Sequence, residues 1–261
     1  MKNKFVVIFI ALILTGCGFT SGLYQDILAA QSFLDKHDYK AAAKKYEEIL
    51  EKKPSKNVKI KINYQLGEIY SIYLNDYNKS LLHFKFIVDS SNEPAWQVRA
   101  LEKIGEIYFE NLKDYKHSLE IYQKLTNFTP PLLKQNEYNF KYAMSLLNGE
   151  KYTDSITYFN NIIQSSEQEF IVEAYYNKGL AHYFKKEWDE AINSWNEYLR
   201  REKRNDRKIK VRFMIANALE SSEKLKEAYN YYYSILGEYP NPEVIRSRLN
   251  SLYERRVARK R

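Results

Sequence analysis

The chain has 261 residues, of which 44% are apolar and 28% are charged, a balance typical of a folded protein and not of a disordered one. Its single cysteine excludes a fold held together by intramolecular disulfide bonds. Only eight glycines are present, fewer than the turns of an all-β domain would need, which favours an all-helical body. The net charge of +8 favours anionic partners or surfaces.

The first residues have the composition of a bacterial secretion signal. Lys2 and Lys4 precede the uncharged apolar segment 5–14, and residues 1–16 together have the length of a cleavable signal peptide. An uncleaved membrane anchor is the alternative, because residues 5–25 contain no charge. Only the first ten of these residues are densely apolar, however, whereas a membrane-spanning helix needs about 20. We therefore predict a cleaved signal.

The sequence LTGC at residues 14–17 resembles a bacterial lipobox, in which the cysteine is lipidated and becomes the N-terminal residue after cleavage. We predict that Cys17 carries the lipid anchor and that residues 17–23 form a linker. Several acyl chains on one residue would hold the protein on a membrane permanently. Gly18 and not Asp follows the cysteine, which by resemblance to lipoproteins of enteric bacteria implies the periplasmic face of the outer membrane. In an organism with one membrane, the same anchor implies the outer face of that membrane.

Pairs of aromatic residues recur along the chain at a fixed spacing. Each of six units has an aromatic first position and an aromatic residue seven positions later, except that Leu opens the last unit. Successive units begin 36 to 38 residues apart. The pairs are Tyr39 and Tyr46, Tyr77 and Phe84, Tyr115 and Tyr122, Tyr152 and Phe159, Trp188 and Trp195, and Leu225 and Tyr232. A period in this range predicts a solenoid of helical hairpins, each of which buries its apolar face against its neighbours.

Small residues accompany these pairs on both helices of each hairpin. Three residues after the first positions come Ala42, Ser80, Ser118, Ser155, Ala191 and Ala228. Offsets of 0, +3 and +7 lie on one helical stripe, so a partner helix can approach closely there. The preceding helices carry their own small residues, Gly67, Gly105, Ala143, Gly179 and Ala216. Since Gly within a helix costs about 1 kcal/mol relative to Ala, its recurrence predicts backbone contact between helices.

This pattern of small and aromatic residues resembles the tetratricopeptide repeat (TPR) family over about residues 24–240. The resemblance implies an all-α fold, a right-handed superhelical solenoid of about six TPR-like helical hairpins. The units are two to four residues longer than the family's usual length of about 34, which predicts an extra half-turn in helix A or in its loop. Beyond them, Ile245, Leu249 and Leu252 share one helical face, so we predict a C-terminal capping helix and basic tail over residues 241–261.

Basic residues are concentrated late in the chain, in two clusters. The first contains Arg200, Arg201, Lys203, Arg204, Arg207, Lys208, Lys210 and Arg212, and the second contains Arg255, Arg256, Arg259, Lys260 and Arg261. One interpretation is a solvated loop face followed by a frayed tail, as charge runs usually are. The other is contact with an anionic lipid headgroup or an acidic partner. Nucleic acid is not expected as a partner of an exported protein.

No motif for catalysis, metal binding or cofactor binding occurs in the sequence. The four histidines, His37, His83, His117 and His182, stand alone, without a second ligand at helical spacing. The HExxH, GxSxG, Walker A and GxGxxG patterns are absent. We therefore expect neither enzymatic activity nor a cofactor, and we expect recognition of other proteins instead.

The TPR resemblance also implies which residues contact a partner, because helix A of each unit lines the family's concave surface. With Gly or Ala of helix A as the reference, the predicted partner-binding residues are Tyr64, Glu68, Arg99, Glu102, Glu106, Phe140, Met144, Tyr176, Leu180, Phe213 and Asn217. The set mixes aromatic, aliphatic and acidic groups, which suits an extended peptide whose apolar side chains dock between polar anchors.

Three functions are compatible with these features. A lipobox followed by TPR units resembles the TPR lipoprotein of the outer-membrane β-barrel assembly machine, which implies a lipid-anchored, non-catalytic scaffold for envelope assembly. That family is usually described with five units, whereas six are found in this chain. The alternatives are a TPR adaptor for peptidoglycan synthesis and division, or a pilotin-like lipoprotein that assists secretins. A membrane-tethered enzyme is the third and least supported possibility.

Overall fold

The structure, a computed structural model, describes residues 21–165 and 169–259, and all regular secondary structure in these residues is helical. The predicted signal peptide and Cys17 lie outside the described residues. The described part of the chain contains thirteen α-helices: α1 (Ser21–Asp35), α2 (Tyr39–Glu51), α3 (Lys56–Glu68), α4 (Tyr77–Ser90), α5 (Pro94–Glu106), α6 (Tyr115–Thr126), α7 (Gln135–Asn148), α8 (Tyr152–Gln164), α9 (Ile171–Phe184), α10 (Trp188–Arg201), α11 (Asn205–Ser221), α12 (Leu225–Ile235) and α13 (Pro242–Ala258). The all-α prediction is confirmed.

The helices alternate as the repeat predicted. Each of the even-numbered helices from α2 to α12 begins at the first position of a predicted unit and is helix B of that unit. The odd-numbered helices from α1 to α11 are the preceding helices A. Helix α1 begins at Ser21 and so includes residues 21–23, which the sequence had assigned to the linker. The repeat therefore defines the starts of helices B to the residue.

A shared turn joins helix A to helix B in every unit. Two residues before each helix B lies a residue with φ between 53° and 63°, and none of these residues is glycine: His37, Asn75, Lys113, Glu150, Lys186 and Glu223. The left-handed conformation ends helix A and reverses the chain. In the first three units an aspartate follows and its side chain accepts the main-chain N–H three residues later, as Asp38 does from Ala41. This N-cap fixes the start of helix B.

The extra length of the units lies partly in helix A, as predicted. A π-helical turn, Ile69–Tyr73, continues α3, and a second, Ile107–Asn111, continues α5. The N–H of Leu74 donates to the carbonyl of Ile69 at 3.1 Å, a bond that spans one residue more than an α-helical one. Both π-helical turns occur in the two units that are 38 residues long. Each turn accommodates an inserted residue without breaking the helix.

The described residues divide into two compact units, each of several hairpins: the first unit ends at Lys113 and the second begins at Asp114. In the first unit, α1 packs on α2, α3 on α4, and α4 on α5. In the second, each helix from α6 to α13 packs on the next one in the chain. The capping helix α13 buries Ile245, Leu249 and Leu252 against this second unit, as predicted. It covers apolar surface that the last hairpin would otherwise leave exposed.

The predicted stripe of helix B forms the core of every hairpin. In all six repeats, the small residue three positions after the start of helix B is fully buried, and the aromatic residue seven positions after that start is buried as well. Gly67 lies directly under the ring of Phe84, where an added Cβ would come within 2.6 Å of the ring. Gly179 lies in the same way under the indole of Trp195. At these two positions of helix A, close contact with an aromatic ring requires glycine, in line with the predicted close approach of the helices.

Candidate peptide-binding surfaces

The predicted partner-binding residues all lie on helices A, and none of them is buried. Five lie in the first unit, on α3 and α5, and the other six lie in the second unit, on α7, α9 and α11. Arg99 and Glu106 are exposed and the others are half-buried. The prediction thus selected an accessible face of the helices A in each unit, and the binding role of these residues stays a prediction.

In the first unit, aromatic rings and charged groups share the face of α3 and α5. The ring of Tyr64 contacts that of Phe84, with 5.6 Å between centroids, and that of Trp96, at 5.5 Å. The guanidinium of Arg99 lies 5.4 Å from the centre of the Trp96 ring, in cation–π distance. We call this surface, made of Tyr64, Trp96, Arg99, Glu68 and Glu106, the α3–α5 face.

Partial burial perturbs the acid–base groups of the α3–α5 face. Burial raises the pKa of the Glu68 carboxyl, an effect that the ammonium of Lys103 opposes. Lys103 itself forms an ion pair of 3.2 Å with Glu106. Burial and then the nearby carboxylate of Glu68 raise the pKa of the Tyr64 hydroxyl. The face therefore offers a desolvated carboxylate beside aromatic rings, which suits a partner segment with both apolar and basic groups.

Several predicted partner-binding residues of the second unit are accessible but also pack against other side chains of the fold. Phe140 stacks on Phe170 with 4.9 Å between ring centroids, and Phe213 stacks on Tyr239 at 4.7 Å. Met144 and Leu180 pack against the apolar core of α7, α8 and α9. Tyr176 contributes its main-chain carbonyl, which accepts a hydrogen bond from the indole of buried Trp195. These side chains offer only part of their surface to a partner.

A polar cleft of about 380 Å³ lies between α11 and α13 in the second unit. Asn217, a predicted partner-binding residue, lines it together with Tyr183, Glu220, Ser221, Glu223, Arg248 and Arg255. The sequence analysis placed Arg255 in the second basic cluster but missed Arg248, because this part of α13 was assigned only a capping role. The signal was present, since Arg248 and Arg255 are seven residues apart and flank the buried stripe of the helix.

An ion-pair network joins α13 to the end of α11. The guanidinium of Arg255 donates to Glu220 and to Glu223, each at 2.9 Å. Arg259 donates to the second carboxylate oxygen of Glu223, and the hydroxyl oxygen of buried Tyr232 lies 3.1 Å from a carboxylate oxygen of Glu220. Several charge-assisted hydrogen bonds that share partners hold α13 more firmly than isolated surface pairs would.

Local carboxylates neutralise much of the predicted basic clusters. Glu197 pairs with both Arg200 and Arg201, and Asp206 pairs with Arg204 at 2.9 Å. In the second cluster, Arg255 and Arg259 belong to the network described above, and Arg256 lies over the ring of Tyr229. For Arg255 and Arg256 the interpretation as a frayed tail is therefore wrong, because α13 is helical to Ala258 and docked. Lys260 and Arg261 lie outside the described residues.

No described helix combines the length and apolar character needed to cross a membrane. Within residues 21–165 and 169–259, no three His, Cys, Asp or Glu side chains are grouped so that they could hold a metal ion.

Two segments of the chain match family models described as tetratricopeptide repeat, residues 98–131 and residues 140–207. The fold is shared with solved TPR structures. A TPR protein from Parabacteroides merdae superposes with a TM-score of 0.63 and 16% identity, over 90% of this chain and 88% of that one. PilW, a type IV pilus biogenesis factor, gives a TM-score of 0.53 and 17% identity, over 90% of this chain and 100% of PilW.

A third solved structure, YrrB, is a TPR protein described as having an unusual peptide-binding site. It gives a TM-score of 0.50 and 16% identity, over 67% of this chain and 83% of YrrB. No curated protein sequence matches this chain. The chain thus has the fold of solved tetratricopeptide repeat proteins, and residues 98–131 and 140–207 match models of that repeat.

Proposed function

We propose that this protein is a non-catalytic scaffold that binds an extended segment of another protein along its helices A. The observation that carries the proposal is the α3–α5 face, where accessible aromatic rings and a half-buried carboxylate lie side by side. Such a surface can seat apolar side chains on the rings and anchor polar groups beside them. The absence of a catalytic motif from the sequence and the TPR fold support recognition over catalysis.

The proposed scaffold is attached to a membrane of the bacterial envelope through lipid on Cys17. Support for this comes from the sequence alone: an apolar signal, a lipobox and a single cysteine at its end. We propose the periplasmic face of the outer membrane as the location. Metabolic labelling with palmitate tests the anchor, because the Cys17→Ala variant should lose the label that the unchanged chain acquires. Equal labelling of both chains would refute lipidation at this residue.

The proposed process is assembly of outer-membrane proteins or of another envelope complex. Affinity capture of the lipidated chain from solubilised membranes distinguishes the candidates. Recovery of a large barrel-insertase subunit supports the first function, and recovery of murein synthases or secretin rings supports the alternative of a division adaptor or pilotin. PilW is a pilus biogenesis factor with the same fold, which is a reason to include secretins among the proteins sought.

Variants of the α3–α5 face test whether captured proteins bind there. Arg99→Glu and Glu106→Lys reverse charges at exposed positions and should leave the fold intact, while reducing capture. Asp89→Lys is the matched control, since Asp89 is exposed on helix B of the first unit and is not a predicted partner contact. Capture that is unchanged in both face variants would exclude the α3–α5 face as the binding surface.

A further inference from the structure

The outward surface of α1 carries no charged residue along most of the helix. Between residues 22 and 34 the exposed residues are Gly22, Tyr24, Gln25, Leu28 and Ser32. Tyr24 and Leu28 lie one turn apart on the same side of the helix, and they are 42% and 45% exposed. We call the surface made of Tyr24, Gln25 and Leu28 the α1 face.

The one charged residue in this part of the chain is already paired. Asp26 is the only Asp, Glu, Lys or Arg among residues 18–34, and its side chain is 16% exposed. Its carboxylate forms an ion pair of 2.8 Å with Lys45 and a second ion pair with Lys52. Asp26 therefore does not present an unpaired carboxylate beside the α1 face.

The helix that follows the last hairpin of the chain has a different outward surface. The exposed residues of α13 include Tyr253, but also the charged residues Glu243, Arg246, Arg248 and Glu254. A terminal helix of a solenoid has one side without a neighbouring repeat, and polar residues on that side keep it soluble. Helix α13 follows this rule and α1 does not. The difference indicates that a surface outside the chain covers the α1 face.

The proposed lipid on Cys17 brings a membrane within reach of this face. Four peptide steps separate Cys17 from Ser21, where α1 begins, so the Cα atoms of these two residues are at most about 14 Å apart whatever path the chain takes. Within α1, Tyr24 lies about 5 Å and Leu28 about 11 Å beyond Ser21. The α1 face is thus held within about 25 Å of the lipidated residue, and the membrane is the surface at the highest effective concentration.

We propose that the α1 face rests on the surface of the membrane that holds Cys17, with Tyr24 and Leu28 among the lipid headgroups. The inference rests on the proposed lipid anchor and adds a second contact with the same membrane. An apolar Leu side chain suits the boundary of the acyl chains, and the ring and hydroxyl of Tyr suit the hydrated headgroup region. Several acyl chains already make attachment permanent, so this contact sets the orientation of the first hairpin and not the strength of attachment.

The test is a depth measurement on the lipidated full chain, reconstituted into vesicles of phosphatidylethanolamine and phosphatidylglycerol. Cys17 is the only cysteine of the chain and is occupied by the proposed lipid, so an introduced cysteine gives a single labelling site. Leu28→Cys carries a fluorophore on the α1 face. Leu82→Cys is the matched control, because Leu82 is an exposed leucine of the same compact unit, 68% exposed on α4.

We expect lipids with a nitroxide on the acyl chain to quench the label of Leu28→Cys at least about threefold more strongly than the label of Leu82→Cys. Quenching should persist at high salt concentration, because the α1 face has no charge to be screened. A label at Gln25→Cys should lose at least about half of its quenching when Leu28→Glu is added, while the chain stays in the membrane fraction. Thermal unfolding of each variant checks that the fold is kept.

Four outcomes would overturn the inference. Equal quenching of the Leu28→Cys and Leu82→Cys labels, in a chain that mass spectrometry shows to be lipidated, would refute it and leave the proposed anchor and scaffold intact. Loss of quenching at high salt concentration would assign the contact to charged groups elsewhere on the chain. Disulfide-linked pairs of unlabelled Leu28→Cys chains, together with a weakly quenched label, would assign the α1 face to a second copy of the chain. A purified chain without acyl groups would refute the anchor and this inference together.

Discussion

The indole nitrogen of Trp195 donates a hydrogen bond of 3.1 Å to the main-chain carbonyl of Tyr176, over the helix surface that Gly179 leaves open. The aromatic side chain of helix B thus contacts the backbone of helix A directly. This contact joins the two parts of the repeat, the small residue of one helix and the second aromatic of the other. Such close packing makes both residues sensitive to substitution.

Gly179→Ala should destabilise the fold even though Ala favours helices. An added Cβ would lie within 3.0 Å of the buried indole of Trp195, which is enclosed and cannot move aside. We expect the free energy of unfolding to fall by about 1–3 kcal/mol, despite a gain of about 1 kcal/mol in helix propensity. Urea unfolding followed by circular dichroism measures the change. Gly22→Ala is the control, because no atom lies within 4 Å of its added Cβ, and an equal loss in both variants would contradict the contact.

Two substitutions of Trp195 separate its volume from its hydrogen bond. Trp195→Ala should lower the free energy of unfolding by about 3–5 kcal/mol, because the side chain is fully buried and a large cavity would remain. Trp195→Phe retains an aromatic ring but removes the hydrogen bond from the indole to the carbonyl of Tyr176, so a smaller loss of about 1–3 kcal/mol is expected. A neutral effect of Trp195→Ala on unfolding would show that this helix packs in a different register.

Sequence periodicity was sufficient to predict the helices B, because each begins with an aromatic residue, or with Leu225 in the last unit, at a regular interval and buries a small residue three positions later. It also indicated the added length of helix A. It did not specify a π-helical turn, since nothing in the residues Ile69–Tyr73 distinguishes an inserted residue in the helix from a longer loop. The left-handed conformation of the residue two positions before each helix B could not be predicted from the sequence either, because these residues are His, Asn, Lys and Glu and not Gly.

The candidate surfaces were only partly predictable for a related reason. The place of Glu68 and Arg99 on the accessible face of helix A could be predicted from the position of Gly in that helix, which the repeat defines. Arg248 does not, because α13 lies outside the repeat and has no family position. The role of Glu220 as a shared acceptor depends on three residues distant in the sequence, Tyr232, Arg248 and Arg255. Such a network arises from tertiary packing and leaves no local pattern.

Acidification below neutral pH should destabilise the first unit through His83. The amide of Asn63 donates to the carbonyl of Lys59 at 2.8 Å, so its oxygen faces His83 and accepts the Nδ1 proton at 2.8 Å. Burial lowers the pKa of His83, an effect that the carboxylate of Glu47 opposes and the ammonium of Lys79 reinforces. The ring also stacks on Tyr70.

The sign of this effect follows from proton binding. A histidine whose pKa is lower in the folded state binds fewer protons than in the unfolded chain, so stability is lost as the pH falls through the ordinary value of about 6.5. Urea unfolding at intervals between pH 7.5 and pH 5 should show this slope, and His83→Gln should flatten it. A slope of the same steepness in His83→Gln would assign the pH dependence to other groups.

Glu202 should contribute to stability above pH 4.5 and lose its contribution as the pH falls towards 2. The buried carboxyl of Glu202 has a pKa of about 2, chiefly because it accepts a hydrogen bond from the main-chain N–H of Arg204. The Tyr198 hydroxyl, the main-chain N–H of Lys203 and the Arg207 guanidinium also donate to it and lower its pKa further. Because the pKa is lowered on folding, the charged form favours the folded state. Glu202→Gln should cost about 1.5–3 kcal/mol at pH 7. Glu190→Gln, at an exposed position of α10, the helix that ends just before Glu202, should have little effect, and equal effects of the two variants would exclude a special role for Glu202.

The ion pairs between α13 and α11 should determine how tightly the last helix docks. Glu220→Gln removes a charge that Arg255 and Arg248 share, while Ile245, Leu249 and Leu252 still pack against the second unit. We therefore expect α13 to open more often without loss of the remaining fold, with amide exchange in α13 about tenfold faster.

Hydrogen exchange measured by mass spectrometry resolves this local opening from global unfolding. Arg246→Gln is the matched control, because its ion pair with Glu243 lies within α13 and does not reach α11. A high salt concentration should narrow the difference between Glu220→Gln and the wild type, since screening weakens the partly exposed pairs of the wild type. If exchange in α13 is unchanged in Glu220→Gln, the apolar contacts alone hold this helix, and the arginines of α13 are available for other partners.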